Sequence, residues 1–486
     1  MRIERLPISV LRTRYVPGGW DLLAFVLVFA FFVYVAQAAH GLTGSLARLE
    51  ATPISLAPSA LIGYAARTAL RMLIAMLASL VFTFTYATLA AKSRRAEVIL
   101  VPLLDFLQSV PILGFSITVV FFLQLTPGRV AGAELAAIFL IFTSQAWNMA
   151  FSFYHSLRSI PDELLEVARN FQLSPWMRFW RLEVPFGMPA LIWNMMMSMS
   201  GGWFFVVASE AISVGNTTVT LPGVGSYIAL AIEQKNLAAI GWAIAAMFVV
   251  ILIFDQLLFR PLTASADWFR LEQEVGLTPS HSWALTMMRR SRFLGLIARA
   301  FAATLRAGMK PRAPAVAAGA RPGSPWNARW VDYAWYALLG LIGFAALWST
   351  TRFVLGEVQP AEIGHVIVLG LLTLLRVTVL IALASLVWVP IGVAVGMRPR
   401  VAGIVQPIAQ FLAAFPANLL FPIVVSGIVL LRLNPDIWLS PLMILGTQWY
   451  ILFNVIVGAS AIPVEMRYVG QNFRVRGWLW WKRIAL

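Results

Sequence analysis

Few residues in this sequence combine a reactive or charged side chain with an apolar setting. Asp105, Gln108, Gln145, Asn148, Asn194 and Ser198 do so, each inside a long apolar run. Polar groups in such runs are costly, so they mark either a solute pathway or hydrogen bonds between helices. Glu210, Arg71 and Arg376 stand near the ends of such runs. For Glu210 and the Gly-rich stretch after it, a contact with an external partner and a plain turn remain open. For the two arginines, anion attraction and a structural role remain open. Other chemistry is missing from the sequence. The four His (His40, His155, His281, His365) are far apart, there is no Cys, and no Gly-x-x-x-x-Gly-Lys-Ser/Thr stretch occurs. The chain therefore offers no pattern for a metal, a cofactor, a disulfide or ATP hydrolysis.

The elements that must hold these residues are membrane helices. Of 486 residues, 60% are hydrophobic and 12% charged, a balance no soluble domain needs. Nineteen Trp suit interfacial anchoring. The net charge of +16 sits in loops between the apolar runs and reads as topology rather than nucleic-acid binding. Basic residues 1–19 place the N-terminus in the cytoplasm. Spans are expected at 20–39, 61–91, 98–125, 134–153, 188–209, 237–259, 331–350, 364–397, 402–431 and 437–458, with an external or re-entrant loop at 210–236. Between them, 260–330 reads as a basic cytoplasmic linker. There Arg292, Arg299 and Arg306 recur every seven residues opposite Leu294, Ile297, Phe301 and Leu305, the pattern of an amphipathic helix on the inner leaflet.

One polar stretch is organised differently. From Ser159 to Pro185 the chain reads as two short helices on the cytoplasmic side. Pro161 with Glu163 and Glu166 marks the first start, and Ser174-Pro175 the break before the second. The stretch resembles the EAA loop of ABC-importer permeases: Glu-Ala-Ala, three residues, Gly, nine residues, then Ile-x-Leu-Pro. Glu166, Val167 and Ala168 take the first three places, Gln172 the glycine's, and Leu182, Glu183, Val184 and Pro185 the last four. The resemblance implies that Pro161, Glu163, Glu166, Ala168, Gln172, Leu182 and Pro185 belong to a coupling helix and loop that dock on a cytoplasmic ATPase.

The chain also repeats itself. Thr68-x-x-Arg71 recurs as Thr373-x-x-Arg376, and Pro102, Phe106 and Pro111 recur as Pro407, Phe411 and Pro416, at an offset of 305. Ile160-Pro161-x-Glu163 recurs as Ile462-Pro463-x-Glu465, and Asn170-Phe171 as Asn472-Phe473, at an offset of 302. In the second copy Pro463 and Glu465 are kept, Tyr468, Gly470 and Arg474 take the Glu, second Ala and Gly places, and Ile484 is in register. The expected Pro falls one residue past Leu486, so the second copy is read either as truncated, with its last spans expected beyond it, or as a degenerate half. The resulting division is 1–60 (basic N-terminus, first span, external loop), 61–260 (first permease unit), 261–330 (linker), 331–365 (span and external loop) and 366–486 (second, incomplete unit).

The expected fold is all-α: the membrane domain of a type I ABC importer, with two parallel repeats of about five or six helices each. The resemblance, closest to nitrate-, sulfonate- and taurine-type permeases, implies a non-enzymatic chain of the cell inner membrane that forms the substrate path. A cytoplasmic ABC ATPase dimer would bring ATP and Mg, and a periplasmic or extracellular binding protein would bring the substrate. The competing reading is an ion channel or ion-coupled secondary transporter, which needs a line of ionisable groups through the spans.

Overall fold

The computed structural model describes residues 19–42, 54–110, 118–214, 217–266, 283–308, 325–445 and 447–460, with positions 44, 114, 462, 466, 468, 472, 473, 475 and 477–481. Eight helices among the described residues are long and apolar enough to cross a membrane, or nine if one bent pair is a single span. The chain is a multi-pass, almost wholly helical membrane protein, as the apolar runs require.

The first helix, α1, spans Gly19–Leu42, and α2 spans Ala60–Lys92. Ser93, in extended conformation, ends α2 and caps α3 (Arg94–Ser109) by accepting a bond from the Ala96 amide. The expected single span over 98–125 is two shorter helices, α3 and α4 (Thr118–Leu125). The physical reason lies at Val110, which precedes Pro111 and is extended (ψ 126°), since proline disfavours the helical region for the residue before it. Pro111 itself lies outside the described residues.

Helix α5 spans Val130–Arg158 and α6 spans Asp162–Asn170. The turn Pro175–Arg178 then runs through one wide turn, Phe179–Glu183, into α7 (Val184–Glu210). The expected loop at 210–236 is ordered: an antiparallel hairpin of β1 (Ala211–Val214) and β2 (Thr217–Thr220), then helix α8 (Val224–Glu233). Gly215 and Asn216 lie outside the described residues. Helix α9 follows (Leu237–Phe254).

In the linker, residues 267–282 and 309–324 lie outside the described residues. The expected amphipathic helix is α10 (Arg292–Gly308). Its start is tied to α1. The Asp21 carboxylate accepts from the Ser291 hydroxyl and the Phe293 amide, both at 2.9 Å, as a helix N-terminus favours.

The C-terminal half holds α11 (Pro325–Glu357), α12 (Pro360–Gly396), α13 (Pro399–Ala414), α14 (Phe421–Leu430) and α15 (Gln448–Ser460). Residues 400–414 and 417–430 meet at a 73° bend beside Pro416, correcting the expected straight span over 402–431. The expected span over 437–458 is found as the apolar stretch Ser440–Ser460, preceded by a separate short turn at Pro435–Trp438, with Pro441 in the first turn of the stretch.

The main core lies between α2, α5, α7, α8 and α9, where Met72, Phe153, Met199, Trp203, Tyr227 and Met247 are fully buried. Glycines allow the close approach expected of membrane helices. A Cβ at Gly187 would meet the Phe153 ring, and one at Gly202 would meet Gln145 and Met72. A smaller core joins α12, α13 and α15 through Val395, Ala402, Ala409, Leu452 and Ile456. Phe82 packs edge-on against Trp147 in the first half, and Trp388 packs against Trp449 in the second.

Candidate functional site

Three polar constellations emerge, and each is assembled by helices distant in sequence. The first is a cavity of about 590 Å³ between α3, α5 and α7. Asp105 and Gln108 face it from α3, Asn148, Ser152 and His155 from α5, and Asn194 from α7. Four of the six polar residues expected in a pathway thus share one space. The Asn194 amide donates to the Ser152 hydroxyl at 2.9 Å, joining two walls. The other two lie elsewhere. Gln145 is fully buried, its amide set on the Met72 sulfur at 3.1 Å. Ser198 is buried with its hydroxyl unpartnered among the described residues. Sequence reading missed Ser152, His155 and Ser159. The signal was there, because Asn148, Ser152, His155 and Ser159 recur at steps of four, three and four, one stripe along α5.

The second is the 159–185 stretch. Its first helix is α6, about two turns long, with Pro161 as its N-cap and Asp162 and Glu163 in the first turn. Gln172 adopts φ +50°, a left-handed conformation that favours glycine, the residue type of the resembled pattern at this place. The Leu173 amide bonds the Ala168 carbonyl (3.0 Å) and the Gln172 amide the Arg169 carbonyl (2.8 Å), so the helix ends in a Schellman turn despite the missing glycine. Ala168 is buried and fixes α6 to the body. Outward stand Glu163, Glu166, Val167 (49% exposed) and Phe171 (75% exposed). An acidic helix presenting bare apolar side chains has the surface of a docking element.

The base of this loop is held by charge. Glu183, 3% exposed, pairs with Lys92 at the end of α2 (2.7 Å) and with Arg178 (2.8 Å). The Tyr154 hydroxyl at the end of α5 donates to Glu97 at the start of α3 (2.5 Å). Leu182 is partly buried, and Pro185 sits in the first turn of α7. Of the second polar loop, Pro463, Glu465, Gly470, Arg474 and Ile484 lie outside the described residues. Tyr468 (60% exposed) and Phe473 (76% exposed) face outward there, the latter matching Phe171.

The third constellation lies at the opposite end of α2. Arg71, 3% exposed, bonds Glu134 twice (2.6 and 2.7 Å) and Glu210 once (2.6 Å). Glu210 is fully buried. It also accepts from the Thr68 hydroxyl (2.6 Å) and the Gly225 amide (2.7 Å), while its backbone carbonyl receives the Ser226 hydroxyl (2.6 Å). A Cβ at Gly223 would fall on this carboxylate, and one at Gly225 on the Val207 carbonyl. Four of the five N–H donors of Arg71 are used inside the fold, the fourth on the Pro222 carbonyl (3.1 Å), and its side chain is 3% exposed. Arg71 therefore pins the Leu221–Gly225 turn onto α2, α5 and α7, and its guanidinium is closed to a soluble anion. Its sequence counterpart Arg376 is exposed on α12, where Thr373 bonds only its own helix.

The molecule is a multi-pass helical bundle with a polar cavity and an outward-facing acidic loop between spans. Within it, residues 83–261 match the family of binding-protein-dependent transport system inner membrane components. The chain is 25% identical over 169 residues to the bicarbonate transport system permease protein of Synechococcus elongatus, covering 35% of this chain and 56% of that one. It is 26% identical over 168 residues to the glycine betaine/carnitine transport permease protein of Listeria monocytogenes, covering 34% and 54%. A bicarbonate permease of Synechocystis matches over 121 residues at 25% identity, covering 25% and 41%. The chain thus spans about half the length of the relatives it matches and is homologous to ABC transporter permease components of binding-protein-dependent import systems. These are transport proteins, not enzymes, and carry no cofactor of their own.

Proposed function

We propose that this chain is the membrane-spanning permease of an ATP-driven importer and joins two parallel permease units, 61–260 and 366–486. The observation that carries the reading is α6: a capped acidic helix within the matched region whose Glu163, Glu166, Val167 and Phe171 point away from the body. Its partner is a cytoplasmic ABC ATPase dimer, which binds ATP and Mg. A separate binding protein delivers a small hydrophilic solute on the opposite side of the cell membrane. The N-terminus lies in the cytoplasm with both polar loops.

The mechanism is mechanical. ATP closes the ATPase dimer and draws together the two loops, 161–173 and 463–475. Force on α6 reaches the bundle at two charged joints: Lys92–Glu183–Arg178 moves α2 with α7, and Tyr154–Glu97 moves α5 with α3. The wall carrying Asp105, Gln108, Asn148 and Asn194 is then exposed alternately to either side, a two-state element biased by its partner. The Arg71 cluster stays rigid and serves as the pivot at the far end. Purification in mild detergent tests this. A P-loop ATPase should accompany the intact protein and be lost on Glu166→Lys with no change in thermal midpoint. An intact protein without any ATPase would favour the channel or ion-coupled carrier.

A further inference from the structure

The cavity between α3, α5 and α7 holds one acidic side chain, Asp105, and no Lys or Arg lines it among the described residues. The Asp105 side chain is exposed there, with no partner for its carboxylate among the described residues. Arg158, at the end of α5, is drawn to Glu97 instead (3.8 Å). The neutral groups of the wall lean the same way, because most of their donors are already engaged. Both N–H bonds of the Asn194 amide are used, one on the Ser152 hydroxyl (2.9 Å) and one on the Ala190 carbonyl (3.1 Å). Turning that amide over would set its oxygen against the Ala190 carbonyl, acceptor against acceptor, so the oxygen is the atom left for the cavity. The Ser152 hydroxyl donates to the Ala190 carbonyl (3.3 Å), Ser156 to the Ser152 carbonyl (3.0 Å) and Ser159 to the Ser156 carbonyl (3.1 Å). Each of these hydroxyls keeps a lone pair and has no O–H to offer. The Gln108 and Asn148 amides and the His155 imidazole carry donor and acceptor together and favour neither.

We propose that this wall selects a small protonated amine, a solute with a positive charge and N–H donors of its own, and disfavours small anions. A protonated amine brings donors and no acceptor, the complement of what the wall has free. It can take the Asp105 carboxylate as a charge-assisted partner and the Asn194 and serine oxygens as neutral ones. The Phe151 ring lines the same space, and aromatic faces attract cations. An anion meets the reverse. The Asp105 charge repels it, and the Asn194 amide and the three hydroxyls have no hydrogen left to give it. A volume of about 590 Å³ admits such a solute together with water. The proposal rests on the reading of this cavity as the solute path and adds the charge and donor character of what passes along it.

Saturation-transfer NMR on the intact protein in lipid nanodiscs tests it with three solutes that share a hydroxyethyl group. Ethanolamine carries charge and N–H donors, choline the same charge without N–H, and 3-hydroxypropionate the opposite charge. Ethanolamine should bind, choline about threefold more weakly or less, and 3-hydroxypropionate should give no transfer above empty nanodiscs. Asp105→Asn removes the charge at an exposed position and keeps the shape. It should weaken ethanolamine about tenfold with no change in thermal midpoint. If that variant is less stable, Gln108→Glu carries the test in the other direction, since a second carboxylate on the same wall should tighten ethanolamine. No ethanolamine binding at tens of millimolar, choline or 3-hydroxypropionate binding as well as ethanolamine, or ethanolamine binding that ignores both substitutions would overturn the proposal. The result separates from the importer reading. Ethanolamine can bind to a carrier that recruits no ATPase, and an ATPase can co-purify with a protein that prefers the anion.

Discussion

Arg71 and Arg376 occupy the same place in the same Thr-x-x-Arg pattern, yet their surroundings have little in common. Arg71 is held by two carboxylates contributed by α5 and α7, and it organises the turn that follows α7. Arg376 is exposed on α12, a helix whose most apolar stretch is wholly unburied, against 67% buried for the segment ending at Glu210. The difference shows what turns a repeated sequence into a repeated structure. The arginine is only half of the device. The other half is Glu210 at the end of α7 and Glu134 at the start of α5.

This comparison can be broken most forcefully at Glu210. Replacement by alanine leaves Arg71 buried with one carboxylate and strips the turn of its anchor. We expect a loss of about 3–5 kcal/mol, the cost of breaking a buried pair by removing one partner. It should be read as a lowered thermal midpoint in detergent, while Arg376→Ala leaves the midpoint unchanged. Equal shifts for both would erase the distinction. Next in size is Gly225→Ala, whose methyl group would collide with the Val207 carbonyl. About 1–3 kcal/mol should be lost, as for other overpacked sites, again by midpoint. Gln172→Gly should act in the opposite direction. Relief of the left-handed φ, less the added freedom of the unfolded chain, leaves a gain of about 0.5–1 kcal/mol. No gain, or a loss, would mean that the glutamine side chain contributes to the turn.

Much of this was readable in the order of the residues. The apolar runs announced the bundle, and the placement of Pro161, Glu163 and Ser174-Pro175 announced the α6 turn and its break, because caps and breakers act within a few residues. The geometry at Gln172 was legible from the position of the glycine it replaces, even though the residue itself argued against it. The charged joints were not. Arg71 and Glu210 lie 139 residues apart and Lys92 and Glu183 91 apart (183 − 92), so their pairing is decided by how helices pack, which no local pattern records. The span over 98–125 was misjudged because hydropathy measures length and apolarity and ignores the backbone restriction that Pro111 places on Val110. The polar wall was half legible: the periodicity along α5 gives the stripe, but only packing shows that Asp105 and Asn194 face it while Gln145 and Ser198 turn into the core.

Paired spin labels at Phe171 and Phe473, both exposed in their loops, offer the most direct measurement of the central claim. In a complex with the proposed ATPase the distance between them should shorten when ATP and Mg are added with hydrolysis blocked, and lengthen again once hydrolysis proceeds. A distance that ignores the nucleotide while ATP is being turned over would contradict coupling through these loops.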